Sequence, residues 1–293
     1  MKGWIVLVNP EAGLRSVDPF RVRAALTRAG VDGEVVVVRG SADMREAVVE
    51  ASRTGYGPVV VGGDGTVGLA AEALALAGLP EPPLLGVLPA GSGCDLLRTF
   101  GLPSDLQAAA AHLRGDRTYL MDLGVIEGSF GRRVFANIAQ AGVGAAAAET
   151  APKVPRSFGS LRYPVAFAAR LPRFPRAEVE IRGEHRTHRA SALAVIFANG
   201  QFFAGGWNIA PKATMVDGLL DVQVISALKR QAPALVPKII KGVHLGHPSV
   251  RRFSLDRLRL ETSIPWPVEA DGDYLGRTPV EVGVLPGALR LKI

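Results

Sequence analysis

The spacing of apolar and polar residues changes period near residue 120, and each half predicts a different architecture. Trp4–Val8 is a short apolar run ending at Asn9-Pro10, which reads as a first strand. Over Pro19–Ala29, Phe20, Val22, Ala25 and Leu26 recur among arginines, and Gly30 follows, so a helix is expected there. Residues 35–38 form a β-branched run, 43–53 a polar-faced helix and 59–61 a third strand. That strand leads into Gly62-Gly63-Asp64-Gly65-Thr66 and an alanine-rich helix stopped by Gly78. A fourth strand at 84–88 leads into a second glycine loop and a short helix. Repeated strand–turn–helix units build a parallel sheet covered by helices, with ligands held where strand carboxyl ends meet helix starts.

Beyond Tyr119 the period falls to two. Val179 and Ile181 alternate with Glu178, Glu180 and Arg182, and 220–224, 258–260, 280–284 and 289–293 are further strand candidates. This half is expected to be a β-rich antiparallel sandwich or barrel. Two segments interrupt it. Residues 152–175, with five prolines and several arginines, read as a loop with one or two helical turns, and 231–247 as a helical excursion. The domain division expected is 1–121 and 122–293.

Composition narrows the class. The 293 residues are 48% hydrophobic and 21% charged, enough apolar material for a core. The single cysteine, Cys94, excludes an internal disulfide framework and a CxxC zinc ribbon, and fits a reducing cytosol. A spanning helix needs about 20 apolar residues. The longest uncharged run, 190–211, is solidly apolar only over 192–198, and the apolar start is too short for a signal peptide. A cytoplasmic protein is expected. The formal charge of +7 is concentrated: 151–190 holds nine Lys/Arg against three acids and 228–260 eight against one, leaving −6 elsewhere. Such stretches suit phosphates, in nucleic acid or at an anionic membrane surface, or are solvated faces. No recognised nucleic-acid module accompanies them, and no nucleic-acid partner is expected.

The two glycine loops carry the chemistry. A nucleotide's phosphates need converging backbone N–H groups at a helix start, with no side chains in the way. The loops at Gly62-Gly63-Asp64-Gly65-Thr66 and Gly91-Ser92-Gly93 both lie between a strand and a helix. The Asp64 carboxylate suits Mg²⁺ or loop ordering, and the Thr66 and Ser92 hydroxyls suit phosphate oxygens. Glycine–aspartate loops also close many strands for purely structural reasons. No Walker P-loop, HExxH or GxSxG motif occurs. The pairs His185/His188 and His244/His247 have helical spacing, but a metal role is not expected of them.

Read in order, these motifs resemble the diacylglycerol kinase catalytic family, in particular the soluble bacterial lipid kinases related to sphingosine kinases. Asn9-Pro10-x-x-Gly13 is similar to that family's opening motif, Gly62-Gly63-Asp64-Gly65-Thr66 to its nucleotide loop, and the 88–98 segment to its Pro-x-Gly-Thr-Gly-Asn-Asp-x-x-Arg stretch. In the second half, Asn199-Gly200, Gly205-Gly206 and Pro211, then Asp217-Gly218-Leu219-Leu220-Asp221 and Asp271-Gly272-Asp273, follow the family's order. The correspondence runs nearly end to end.

The resemblance implies an N-terminal nucleotide-binding α/β domain of NAD kinase/diacylglycerol kinase type, facing a β-rich lipid-binding domain across a cleft, with 285–293 returning to the first domain. It implies transfer of the ATP γ-phosphoryl group to a lipid hydroxyl, with Mg²⁺ as cofactor. Asn9, Gly62, Gly63, Gly65, Thr66, Gly91, Ser92 and Gly93 then contact the nucleotide. Asp64 organises the phosphate and metal network, Asp273 is the general base and Asp217 belongs to a second, more structural magnesium site. Taken without the family, Asp271-Gly272-Asp273 is a hairpin turn. Asp273 stands where Glu is usual, about 1.5 Å shorter in reach on a scale to which catalytic geometry is sensitive; Asp64 is the other candidate base. Cys94 stands where Asn is usual, near an expected helix start that would lower a thiol pKa, unless the thiol is buried.

A membrane acceptor gives the 153–189 stretch a use, docking peripherally on anionic headgroups with Phe158, Tyr163, Phe167 and Phe174 either entering the interface or packing in the core. A homodimer is left open, as is the acceptor lipid. An NAD kinase-like enzyme and a decayed lipid- or nucleotide-binding protein are the competing readings.

Overall fold

β1 (Trp4–Val8) lies between β2 (Gly33–Val37) and β3 (Gly57–Gly62), and β4 (Leu84–Pro89) follows β3, all in parallel. The computed structural model describes residues 1–10, 17–90 and 94–293. Between the strands run α1 (Pro19–Ala29), α2 (Gly40–Arg53) and α3 (Asp64–Leu76), with α4 (Asp95–Thr99) and α5 (Leu106–His112) after β4. The α1 ends follow local chemistry. The Asp18 side chain accepts the Phe20 N–H at 2.9 Å, Pro19 occupies the first turn, and Gly30 closes the helix at φ +64°. Val22, Ala25, Leu26 and Ala29 of α1 pack with α5 onto Val6, Val8, Val59 and Val61.

Two compact units result, Met1–Leu123 with Pro286–Ile293, and Gly124–Leu285. β5 (Thr118–Gly128) and a long terminal strand, Val280–Lys292, each run from one unit into the other. The hydrophobic pattern predicts two strands at 280–284 and 289–293, but the structure has one. The buried Asp122 carboxylate accepts the Gly287 N–H at 2.7 Å, and Gly287 absorbs the irregularity at φ +56°, so Pro286-Gly287 does not become a turn. Arg290 and Leu291 then pair in parallel with Leu84 and Leu85 of β4.

The second unit is an antiparallel sandwich. It contains β6 (Gly131–Phe135), β7 (Ile138–Gly142), α6 (Val143–Thr150), α7 (Arg162–Arg170), β8 (Ala177–Gly183), β9 (Thr187–Ala192), β10 (Ala194–Ala198), β11 (Leu220–Ile225), α8 (Ala232–Ile240), β12 (Val250–Leu255), β13 (Arg257–Thr262), β14 (Pro267–Ala270) and β15 (Asp273–Arg277), before the terminal strand β16. One sheet runs β12-β11-β10-β7-β14-β15, and in the other β13 lies between β8 and β16. Ile138, Val195, Phe197 and Val222 from the first share one core with Val179, Ile181, Leu258, Leu260 and Val282 from the second.

The 152–175 segment is more helical than its prolines suggest. Short 3₁₀ turns flank the nine-residue α7, and Pro164 falls in the first turn of that helix, where a missing N–H costs no intrahelical bond.

Candidate active site

In the first unit, parallel register brings the expected nucleotide residues to one edge. Val8 pairs with Val61, and Gly62 with Pro89, so Asn9, the Gly62–Thr66 turn and Ala90 all follow the carboxyl ends of adjacent strands. The Ala90 N–H donates to the Gly62 carbonyl at 3.1 Å and ties the two loops together. Gly91, Ser92 and Gly93, and Gly13 of the opening motif, lie outside the described residues.

The glycines of the first loop have separate reasons. A Cβ on Gly62 would sit 2.5 Å from the Thr66 side chain, so the fold itself demands glycine there. On Gly65, the second residue of α3, a Cβ would meet nothing within 4 Å among the described residues, and the backbone needs no positive φ. Internal packing therefore does not explain Gly65, whereas a ligand approaching the helix start closely would.

Asp64, first residue of α3, turns its carboxylate to the next loop and accepts the N–H groups of Asp95 at 2.6 Å and Leu96 at 3.3 Å. Its charge satisfies orphan donors at the start of α4 and so fixes where the second glycine loop ends. The Asp95 carboxylate in turn pairs with Arg98. Cys94 is buried just before α4, and burial, with the Asp64 charge beside it, pushes its thiol pKa far up. The thiol is the buried, inert kind, and the lowering expected at a helix start does not occur.

In the second unit one end of the six-stranded sheet collects the remaining motifs. Asp221 pairs with Ala198, Ala198 with Ile138, Ala139 with Ala270, and Ala270 with Asp273. Asn199-Gly200, Asp217-Gly218 and Asp271-Gly272-Asp273 therefore share an edge. β11 and β15 are four strand spacings apart, about 19 Å, so Asp217 and Asp273 do not converge on one ion. Asp217 is exposed and its Oδ1 accepts the Leu219 N–H at 3.0 Å in an Asx turn.

Asp271 and Gly272 form the hairpin turn between β14 and β15, with φ +47° and +91° as a type I′ turn needs. The turn is anchored by its own carboxylate. Asp271 accepts the N–H groups of Ala136 at 2.6 Å, Asn137 at 2.9 Å and Ile138 at 3.0 Å. Asn199 holds the same loop from the other side, donating from Nδ2 to the Ala136 carbonyl at 2.7 Å. Asp273, the next residue, is exposed.

Sequence reading missed the group beneath this turn. Glu269 is fully buried, accepts the Gly272 N–H at 2.7 Å and the Gln140 Nε2–H at 2.7 Å, and Gln140 also donates to the Tyr163 hydroxyl at 3.3 Å. Burial, chiefly, raises the Glu269 carboxyl to about 8, with smaller contributions from the charges of Asp271 and Asp273. Burial also raises Asp271, to about 6, against the three N–H donors that favour its charge. At neutral pH the turn thus holds a protonated Glu269 beneath an ionised Asp271. The only available signal was a polar residue inside each of two apolar strand patterns.

Other candidates resolve structurally. His244 is buried against Gln223 Oε1 at 2.9 Å, inside a network in which Gln223 donates to Asp221 and Arg252 pairs with Asp221. His188 stacks on Phe253. No cluster of three metal-ligating side chains occurs among the described residues. Of the interleaved aromatics, Phe174 packs on Trp266, Tyr163 on Phe203, and Phe167 against the core, leaving only Phe158 exposed.

Residues 3–126 match the diacylglycerol kinase catalytic domain, and residues 137–293 match the YegS C-terminal NAD kinase beta sandwich-like domain. The chain is 32% identical over 273 residues to the diacylglycerol kinase of Mycobacterium tuberculosis strain H37Rv, covering 92% of this chain and 87% of that protein. It is 26% identical over 284 residues to lipid kinase YegS of Escherichia coli K12, covering 95% and 93%. A crystal structure of a diacylglycerol kinase from Bacillus anthracis str. Sterne shares the fold, with a TM-score of 0.74 at 19% identity over 99% of this chain and 96% of that one. The chain belongs to the bacterial lipid kinase family in which a diacylglycerol kinase catalytic domain precedes a YegS-type C-terminal domain.

Proposed function

We propose that this kinase transfers the γ-phosphoryl group of ATP to a hydroxyl of a diacylglycerol-like membrane lipid. The observation that carries the nucleotide half is Gly65: a glycine at the start of a thirteen-residue helix, open among the described residues, in a loop whose Gly62 is sterically required. Phosphoryl transfer needs positioning and charge neutralisation more than covalent participation. Asn9, the Gly62–Thr66 turn and the Gly91–Gly93 loop bind the nucleotide, and Asp64 orders the second loop through the N–H groups it holds.

Asp273 takes the proton of the lipid hydroxyl as its oxygen attacks the γ-phosphorus and the β–γ bridging bond breaks to release ADP. Asp271 and Glu269 hold the turn that carries it. Asp64 and Asp217 are the carboxylates that would hold Mg²⁺, which would supply neutralisation of phosphate charge. An all-oxygen donor set fits that ion, and Asp217 keeps an exposed carboxylate for the separate structural site.

The protein works at the cytoplasmic face of a membrane, docking through the 153–189 stretch. Phe158, Leu161 and Val165 are its exposed apolar residues, beside the basic charge. Incubating the protein with labelled ATP, Mg²⁺, NAD and vesicles containing a panel of lipid alcohols tests the reading. A labelled diacylglycerol-derived product is expected, and label appearing only on NAD would replace the proposal with the small-molecule kinase. In the same vesicles, Phe158→Asp with Leu161→Asp is expected to weaken binding at least fivefold without changing ATP affinity. Unchanged vesicle binding would remove docking through this stretch.

A further inference from the structure

The far end of the hairpin that carries Asp273 borders a cavity of about 200 Å³. Pro267 and Arg277 pair at that end, and Ala270 and Asp273 at the other, three residues or about 10 Å along the strand. Arg170, Arg173 and Arg277 line the cavity with Glu149, Phe174 and Trp266. Guanidinium groups keep their charge at any physiological pH, so three of them facing one carboxylate leave an excess of two positive charges around a small space.

The three arginines are differently committed. Arg277 donates from Nη1 to the Pro265 carbonyl at 3.1 Å, which fixes its fork and leaves its other N–H groups. Arg170 pairs with Glu149 at 3.1 Å. Arg173 is exposed and has no carboxylate partner among the described residues. Trp266 forms part of the apolar wall. Its side chain is 1% exposed, and its indole N–H meets no acceptor among the described residues. The indole N–H is a donor only, and leaving it buried without an acceptor is costly. Cationic forks and the Phe174 ring together describe a place for an anion with several acceptor oxygens and an apolar or glycerol-like substituent.

We infer that this cavity binds a phosphate ester, at a site separate from the Asp273 turn. Guanidinium forks match phosphate oxygens two at a time. Glu149 competes with the ligand for Arg170, so the site is tuned below its full affinity. The inference concerns binding alone; because Arg170 and Arg173 also lie in the 153–189 docking stretch, vesicle binding counts for the cavity only where Phe158→Asp with Leu161→Asp retains it.

The test uses two sources of the same chemistry. Glycerol 3-phosphate is titrated calorimetrically into the full chain with its nucleotide loops saturated by ATP. Separately, co-sedimentation is measured with phosphatidylcholine vesicles with and without phosphatidylglycerol. Saturable binding is expected in at least one arm, the soluble arm indicating a free phosphate ester and the vesicle arm alone a lipid headgroup. Arg173→Ala with Arg277→Ala should weaken it at least tenfold. Glu149→Gln should tighten it about threefold, a gain that misfolding does not produce. Absence of binding in both arms overturns the inference. So does binding that survives the double variant, or that Glu149→Gln leaves unchanged.

Discussion

At the carboxyl ends of β1, β3 and β4 the first unit presents bare backbone: glycines, helix-start N–H groups, and one carboxylate, Asp64, turned inward to hold the neighbouring loop. At one end of its six-stranded sheet the second unit presents carboxyl groups, with Asp271 on three N–H donors, Glu269 buried beneath and Asp273 in solvent. The first edge suits an anion and is spoiled by added atoms. The second suits proton acceptance and is altered by moved protons. A function joining an anionic donor to a hydroxyl acceptor needs one edge of each kind.

The sharpest way to break this contrast is at Asp273. Asp273→Asn keeps the shape and removes the base, so kcat is expected to fall by roughly 10²–10⁴-fold. The melting temperature should hold, because the side chain is exposed. Activity within threefold of wild type would move the base elsewhere, with Asp64 the next candidate.

The glycine edge is tested by a pair. Gly62→Ala places a Cβ against Thr66 in a fully buried strand, and should cost about 1–3 kcal/mol of stability by overpacking. Gly65→Ala meets nothing among the described residues and should leave stability unchanged while raising the KM for ATP. If both variants lose stability alike, Gly65 is structural and the ligand argument falls.

The mildest effect is a pH dependence. The folded chain holds the Glu269 proton up to about pH 8, whereas an unfolded chain releases it near 4.5. Between those values the unfolded state binds fewer protons, so this group's contribution to stability is lost as pH rises. The melting temperature is expected to decline from pH 5 to pH 8, and Glu269→Gln should flatten that decline. An equal slope in the variant would show that Glu269 does not hold its proton.

What the sequence shows and what it hides follows from the range of the interactions. α1 is legible at both ends because Pro19 and Gly30 act on their own backbone. The parallel strands are legible as apolar runs, and the Gly62–Thr66 loop because its glycine requirement is set four residues away by Thr66. By contrast, β7 and α6 form one run of small apolar residues without a period. The break between them comes at Gly142, φ +114°, where a Cβ would strike the Leu193 carbonyl fifty-one residues on. The contact between Gln140 and Glu269 spans 129 residues. The Asp271 anchor spans 133 to 135, so the Asp-Gly-Asp hairpin is visible but its attachment is not. Local chemistry reveals a glycine loop. A buried carboxyl network requires the fold.

The pairing of Arg290 and Leu291 with β4 also sets an order of maturation. The strand that completes the first unit leaves the ribosome only after the whole of Gly124–Leu285 has been made. During synthesis, therefore, the second unit has all its residues first, and the outer side of β4 stays an open strand edge, prone to wrong pairing. The half that would bind ATP is finished last, so a nascent chain acquires its full first unit only when translation has passed residue 291.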